Sequence, residues 1–214
     1  MEIDALRFVI AFPLLLYAAY SDIKKREADN WIWIVMALFG IPFIIWEKNL
    51  FMTAISIGIT FPVAFLLYLF GMGGADAKAI MAIAILNPLP PSTMLYHSPM
   101  FVFPMTVLLN SLILILPLPL IFLIYNVIRK NADFPYCLFG YKMDAIKAEK
   151  KFVWPMEKNG KKSIKPIKNA DWSTYHGEIW VTPKLPFLVF ILAGYLISYF
   201  VGDVLFAFIS FILK

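Results

Sequence analysis

Long apolar runs without a charged side chain dominate this sequence. Asp, Glu, Lys and Arg are absent from four stretches, 8–21, 30–46, 49–75 and 79–128. As a single helix, the last stretch would reach about 75 Å, which is more than twice the thickness of a bilayer core. Prolines between positions 88 and 91 interrupt this stretch, and they predict two helices in place of one.

Together with an apolar C-terminal segment, these runs predict six membrane helices. We place them near 5–21, 31–46, 50–71, 77–89, 101–128 and 186–213. The fourth is short for a spanning helix, so it is either re-entrant or ends inside the protein. The predicted fold class is an all-α polytopic membrane protein with six transmembrane helices and a small, mainly β insert before the last one. The predicted domains are helices one to five over 1–128, the insert over 129–185, and the sixth helix over 186–214.

The composition excludes a water-soluble globule. Hydrophobic residues make up 61% of the chain and charged residues 15%, whereas soluble domains are about half apolar and a quarter charged. The single Cys137 excludes an intrachain disulfide framework and a zinc site built from paired cysteines. His97 and His176 have no partner at ligand spacing, so we expect neither a metal nor another cofactor.

Basic residues are concentrated on one side of the predicted topology. With six spans, the loops at 22–30, 72–78 and 129–185 share a side, and they hold 16 of the 19 lysines and arginines. Cytoplasmic loops carry such an excess, so we place these loops in the cytoplasm and both termini outside. The orientation of the chain in the lipid bilayer accounts for the concentration of basic residues on one side. We therefore expect no nucleic-acid partner.

The predicted insert differs from the rest of the chain because lysines recur every few residues and apolar runs are short. Asn159-Gly160 is a strong hairpin signal between two predicted strands, 151–154 and 163–167. Residues 178–182 predict another strand, and 143–150 a short helix. Two interpretations of the lysines stay open, a solubilising loop or a surface that contacts anionic lipid or positions a partner.

Two acidic residues at predicted helix ends are candidates for chemistry, because charged side chains near the membrane are energetically costly. Asp22 ends the first helix and Asp76 begins the fourth, so the two intervening helices return both residues to one face. Gly73 and Gly74 allow a tight turn before Asp76. Two apposed carboxyl groups share one proton, and such a pair activates a water molecule that attacks a peptide carbonyl.

Each of these residues also has a purely structural interpretation. Asp22 is then a solvated acid at a helix end, and Asp76 is the N-cap of the fourth helix. Lys78 either tunes the carboxyl pair or anchors a helix edge. Asn30 either caps the second helix or positions substrate.

Three stretches of the chain carry a family resemblance, namely SDIKKREADNW at 21–31, GGADAK at 73–78 and WVTPKLPF at 180–187. They resemble the first catalytic segment, the GxGD segment and the approach to the last helix of the archaeal preflagellin peptidases. These belong to the type IV prepilin peptidase group of GxGD membrane aspartic proteases. Ala75 stands where the GxGD motif has its second glycine.

The resemblance implies a membrane aspartic endopeptidase in which Asp22 and Asp76 are the catalytic pair and no cofactor takes part. It implies substrates that are precursor proteins with a short basic leader and a hydrophobic N-terminal helix, cleaved at the cytoplasmic face. Preflagellin is the first choice of substrate, and a pilin-like precursor is the second. The single cysteine argues against the N-methyltransferase activity that bacterial relatives add on a cysteine-rich zinc insert.

Two other classes of function remain as alternatives. An ion-coupled small transporter would use the same two aspartates as ion sites and the short fourth helix as a broken helix. Ion-coupling acids usually lie near the membrane midplane, however, whereas these two lie at a boundary. A non-catalytic assembly factor would use the lysine-rich insert to dock a partner.

Overall fold

The computed structural model describes residues 2–96, 102–158 and 160–213. It divides the chain into two compact units, one formed by 1–114 and 186–214 and the other by 115–185. His97, and Asn159 of the predicted hairpin turn, lie outside the described residues.

Helices form most of the described chain. In chain order they are α1 (Glu2–Lys25), α2 (Asn30–Ile45), α3 (Leu50–Leu69), α4 (Gly74–Leu86), α5 (Phe103–Ile115), α6 (Leu118–Ile128), α7 (Ala145–Glu149), α8 (Phe187–Phe200) and α9 (Val204–Ile212). Of these, α6 and α7 belong to the second unit.

Local sequence explains several helix ends. The first turn of α1 is acidic and its last turn carries two lysines, an order that complements the helix dipole. Arg26 follows with a φ of +57°, a left-handed conformation that ends the helix. Asn49 begins α3, where its side chain accepts a hydrogen bond from the Met52 N–H at 3.2 Å.

Two of the helices predicted as continuous are each divided in the structure. The predicted helix 101–128 consists of α5 and α6, separated by a turn that contains Pro117. The predicted helix 186–213 consists of α8 and α9, separated at Gly202. Gly202 has a φ of +101°, and a β-carbon there would collide with the Tyr96 carbonyl oxygen. Asp203 then caps α9 by accepting from the Phe206 N–H at 3.0 Å.

Three helical stretches are long and apolar enough to cross a membrane, namely Glu2–Lys25, Leu50–Leu69 and Phe103–Ile128. The shorter helices α2 and α8 are also apolar. Large apolar side chains on these elements are exposed, as a lipid surround requires. The chain is therefore a mostly helical membrane protein, and the count of six spans stays a prediction.

The short helix α4 lies in the core of the first unit. Seven of its 13 residues are buried, and four of these are alanines. Small residues let the neighbouring backbones approach closely, and Gly40 of α2 shows how closely: a β-carbon there would lie 2.8 Å from the Ile85 backbone. This packing holds α4, whose first turn carries Asp76, against α2.

The second unit contains a small antiparallel sheet. The strands are β1 (Tyr141–Asp144), β2 (Val153–Pro155), β3 (Glu157–Lys158), β4 (Lys161–Lys162) and β5 (Glu178–Pro183). One sheet has the order β1-β5-β2, and β3 pairs with β4 in a separate hairpin. The central strand β5 buries Ile179, Trp180 and Val181.

The structure confirms a small β region late in the chain, including the strand near 178–182, and it contains the short helix within 143–150. The predicted strand at 163–167 is wrong. Pro166 has no N–H to donate, and Ser163 and Ile167 donate singly to the carbonyls of Met156 and Pro155 instead of forming a ladder.

Candidate active site

Asp22 lies on the buried face of α1, in its last turn. Ala11, Leu15 and Ala18 are buried at helical spacing, and Asp22 continues their stripe. Only 7% of Asp22 is exposed, so the structure does not place it as a solvated acid at a helix end. Its carboxyl group instead faces the protein interior.

A backbone donor from another helix contacts the Asp22 carboxyl group. The Leu188 N–H donates to Asp22 Oδ2 at 3.1 Å, and the contact is buried. Leu188 is the second residue of α8, whose N-cap residue Pro186 supplies no capping side chain. Asp22 thus satisfies one of the free N–H groups at the start of α8, where the helix dipole favours a negative charge.

Arg26 brings a positive charge beside Asp22. Its left-handed backbone turns the chain back, and Arg26 Nη1 donates to the Asp22 carbonyl oxygen at 3.0 Å. The guanidinium group therefore lies next to the residue that carries the buried carboxyl group.

Asp76 is the third residue of α4, so the alternative interpretation of Asp76 as the N-cap is wrong. The N-cap is Gly73, which has no side chain to cap the helix. The Gly73 N–H donates to the Asp76 carboxyl group, so the side chain of Asp76 reaches back over the first turn. A β-carbon at position 73 would lie 2.5 Å from Asp76 Oδ2, and glycine is the residue that leaves this space to the carboxyl group.

The turn before Asp76 does not depend on unusual backbone torsions at the predicted glycines. Gly73 has an ordinary φ of −59°, and the left-handed glycine is Gly71, with a φ of +105°. Ala75 is the second residue of α4, where Ala is a favourable helix former. A β-carbon at Gly74 would make only an ordinary contact, 3.6 Å from the Tyr68 ring.

Asp22 and Asp76 are close enough for their charges to interact. Burial, and then the negative charge of Asp22, raise the pKa of Asp76 to about 7, and the Gly73 N–H acts in the opposite direction. Asp76 itself lies outside the three stretches that are long enough to cross a membrane. Two interacting carboxyl groups of this kind retain a proton near neutral pH and titrate as a pair.

Lys78 and Asn30 contact each other. Lys78 Nζ donates to Asn30 Oδ1 at 2.8 Å, and both residues are exposed. Asn30 is the first residue of α2 and Asp29 is its N-cap, so the prediction of an N-cap at Asn30 is wrong. The contact links the start of α2 to the part of α4 that follows Asp76.

The arrangement is suited to acid–base chemistry. One carboxyl group that is charged and one that is protonated, held near each other, can remove a proton from water and donate one to a carbonyl oxygen. Leu188 gives no signal of its contact in the sequence, because the donor is a backbone N–H under an apolar side chain. The one indication in the sequence was the segment 180–187, which precedes Leu188 and resembles the segment before the last helix in the family.

Two family models match the chain. One, described as the type IV leader peptidase family, matches residues 9–128, and the other, described as the archaeal Peptidase A24 C-terminus type II, matches 161–204. The first match includes both Asp22 and Asp76, and the second includes Leu188.

Three curated relatives match nearly the whole chain. The preflagellin peptidase of Methanocaldococcus jannaschii is 32% identical, over 92% of this chain and 94% of the relative. The preflagellin peptidase of Methanococcus voltae is also 32% identical, over 92% of this chain and 95% of the relative. That of Methanococcus maripaludis is 28% identical, over 92% and 96% respectively.

Proposed function

The chain belongs to the type IV leader peptidase family and is a protease, and we propose that it removes the N-terminal leader of preflagellin precursors. The observation that carries this proposal is the match, along nearly the full length of both chains, to relatives named preflagellin peptidase. A pilin-like precursor is the second choice of substrate. The transporter alternative is not proposed, because the family is one of peptidases.

The proposed catalytic pair is Asp22 and Asp76. Burial of Asp22, the turn that presents Asp76, and the electrostatic interaction between them support this assignment. Gly73 has a supporting role, because it leaves room for the Asp76 carboxyl group. Lys78 and Asn30 have a more distant one, as they fix the start of α2 against α4.

The proposed reaction is hydrolysis of one peptide bond. The charged carboxylate takes a proton from water, and the resulting hydroxide attacks the carbonyl carbon while the protonated carboxyl group donates to the carbonyl oxygen. Collapse of the tetrahedral intermediate breaks the C–N bond, and the leaving amine takes the proton that the base had received. As the C=O bond forms again, a hydroxyl group of the intermediate returns a proton to the other carboxyl group. The pair then returns to its starting protonation state, and no cofactor is required.

The proposed topology keeps six spans with the catalytic pair and the insert 129–185 on the cytoplasmic side, and with both termini outside. Its support is the charge distribution, because 16 of the 19 basic residues fall on the loops assigned to the cytoplasm. The substrate's leader and the start of its hydrophobic helix then meet the enzyme at the inner membrane face. The proposed domains are the membrane helices over 1–128, the insert, and the last helix over 186–214.

Separate substitutions Asp22→Asn and Asp76→Asn test the catalytic proposal. We expect each to lower the rate of cleavage of a leader-bearing preflagellin in detergent by a factor of about 10³ or more, while the protein still inserts into the membrane. Asp29→Asn is the matched control, since Asp29 is an exposed acid near Asp22 and Asn is an equally good N-cap. Cleavage retained by either variant of the pair would overturn the assignment.

Cysteine labelling tests the topology. In intact cells, an impermeant reagent should label Lys48→Cys, in the loop at 47–49, and should leave Lys161→Cys, in the hairpin, unlabelled. The native Cys137 is buried, and its substitution by Ala removes any background. The opposite pattern would reverse the proposed sidedness together with the face at which cleavage occurs.

A further inference from the structure

We infer that the backbone N–H of Leu188 is a positioning group that sets the roles within the proposed pair. Asp22 is the charged base that activates water, and Asp76 is the protonated acid that donates to the carbonyl oxygen. This inference rests on the proposed function. It states which aspartate is the general base and which is the general acid, an assignment that the presence of two carboxyl groups does not make by itself.

The contact at Asp22 favours its charged form. The Leu188 N–H donates to Oδ2 at 3.1 Å in a buried environment, where a hydrogen bond from an N–H is stronger with a carboxylate than with a neutral acid. The donor has no acceptor within its own helix, because Leu188 lies in the first turn of α8. A carboxylate has about four lone-pair sites, so this bond still leaves Asp22 able to take a proton from water.

The charged groups around the pair act in the same sense. Arg26, at the end of α1, places a guanidinium group beside Asp22, and its Nη1 contacts the Asp22 carbonyl oxygen. The carboxyl group of Asp76, from α4, is the like charge that Asp22 faces. Lys78 directs its ammonium group to Asn30 of α2 rather than to either carboxyl group. The nearby positive charge therefore lies on the Asp22 side of the pair.

The surroundings of Asp76 favour its protonated form by comparison. Burial withdraws both carboxyl groups from water, and Asp22 is the more buried residue. Each also accepts from one backbone N–H, that of Leu188 or Gly73. The difference lies in the neighbouring charges, because Asp76 faces the negative charge of Asp22 whereas Asp22 has the guanidinium group of Arg26 beside it. In the resulting step, Asp22 removes a proton from water, a C–O bond forms at the carbonyl carbon, and the oxygen takes the proton of Asp76. When the C–N bond breaks, the amine receives the proton from Asp22, and Asp76 recovers its own from the tetrahedral intermediate.

The substitutions Leu188→Pro and Leu188→Ala separate the backbone donor from the side chain. Both remove the buried leucine side chain, but only proline removes the N–H, and proline is tolerated in the first turn of a helix. For Leu188→Pro, we expect kcat to fall about tenfold or more relative to Leu188→Ala. We also expect the acidic limb of its pH–kcat profile to move up by about one pH unit, because Asp22 ionises less readily without its donor.

The pH profile distinguishes positioning from a purely structural role. A helix-capping role alone would lower the thermal stability of Leu188→Pro and leave the acidic limb where Leu188→Ala has it, and this result would overturn the inference. A shift of the alkaline limb instead would also overturn it, because it would exchange the roles of the two aspartates. If Asp22→Asn or Asp76→Asn still cleaves, the proposed function itself fails, so the two failures are distinguishable.

Infrared difference spectra provide a second measurement that does not require Leu188→Pro to fold. At about pH 5, where an ordinary Asp is ionised, the spectrum should contain the C=O band of a protonated buried carboxyl group. We expect Asp76→Asn to remove this band and Asp22→Asn to retain it. A band that is lost with Asp22→Asn and retained with Asp76→Asn would overturn the inference.

Discussion

Two buried ionisable sites lie at opposite ends of α1, and they differ in how their charge is compensated. Arg7 is near the start of the helix and Asp22 near its end, about 22 Å apart along the axis. Both are almost fully buried, at 3% and 7% exposure. One faces an opposite charge, and the other faces a like charge.

The charge of Arg7 is compensated by several groups. Its guanidinium group donates to Glu47 Oε2 at 2.9 Å and to the Phe43 carbonyl oxygen at 3.5 Å, and it lies 5.5 Å from the centre of the Phe43 ring. Such a site ties α1 to the end of α2. We therefore expect this site to stabilise the fold.

Asp22 and Asp76 repel each other in their charged forms, and the groups that oppose this repulsion are mainly backbone N–H donors, from Leu188 and Gly73. A protein gains no stability by bringing two carboxyl groups together in this way. In the proposed mechanism it gains one charged and one protonated carboxyl group, which acid–base catalysis needs. The comparison thus separates a buried charge that serves the fold from buried charges that serve the proposed chemistry.

The largest effect on the fold should come from removing the negative charge of Glu47, which faces Arg7. Glu47→Gln leaves the buried guanidinium of Arg7 without its counterion, and we expect the free energy of unfolding in detergent to fall by about 2–3 kcal/mol. The kcat of the folded protein should be unchanged, because the site is far from the proposed pair. Lys48→Gln is the matched control, as it removes the adjacent charge. Equal stability of the two variants would contradict this account of Arg7.

The next prediction concerns Asp22 and Asp76 and tests how precisely the Asp76 carboxyl group must be placed. Gly73→Ala places a β-carbon where Asp76 Oδ2 now lies, so we expect the carboxyl group to move and kcat to fall about tenfold or more. Gly74→Ala adds a methyl group that makes only an ordinary contact, and it should retain activity within about twofold. A steady-state assay of both variants, together with their melting temperatures, checks this. Equal activities would show that the position of Asp76 tolerates the added carbon.

The smallest effect is a pH dependence of stability. The pKa of Asp76 is raised to about 7 in the folded state, above its unfolded value of 3.8, so the folded protein binds more protons between these values. Stability should therefore fall as pH rises from about 4 to about 7.

Asp76→Asn should lack this decrease. Thermal unfolding of both proteins at a series of pH values measures the difference, and Asp29→Asn should behave as the wild type does. Parallel pH curves for the wild type and Asp76→Asn would mean that Asp76 is ionised like an ordinary surface acid.

The structure contains the predicted helices wherever an uninterrupted apolar run was sufficient to predict them. The runs at 30–46 and 49–75 contain α2 and α3, and Pro88–Pro91 correctly divided the longest run. The breaks within 101–128 and 186–213 were missed, because a single Gly or Pro in an apolar run is compatible with a continuous membrane helix. Gly202 breaks the last helix through its contact with Tyr96, about a hundred residues earlier in the chain.

The sequence by itself determined the membrane character of the chain, the family, and the two acids most suited to chemistry. These follow from local properties: apolar runs, the distribution of charge, and short motifs around Asp22 and Asp76. The tertiary structure decided what those acids contact, including the Leu188 N–H, which is 166 residues from Asp22. A backbone donor is the same in every residue except proline, so only the packing of α1 against α8 selects the one that reaches a carboxylate.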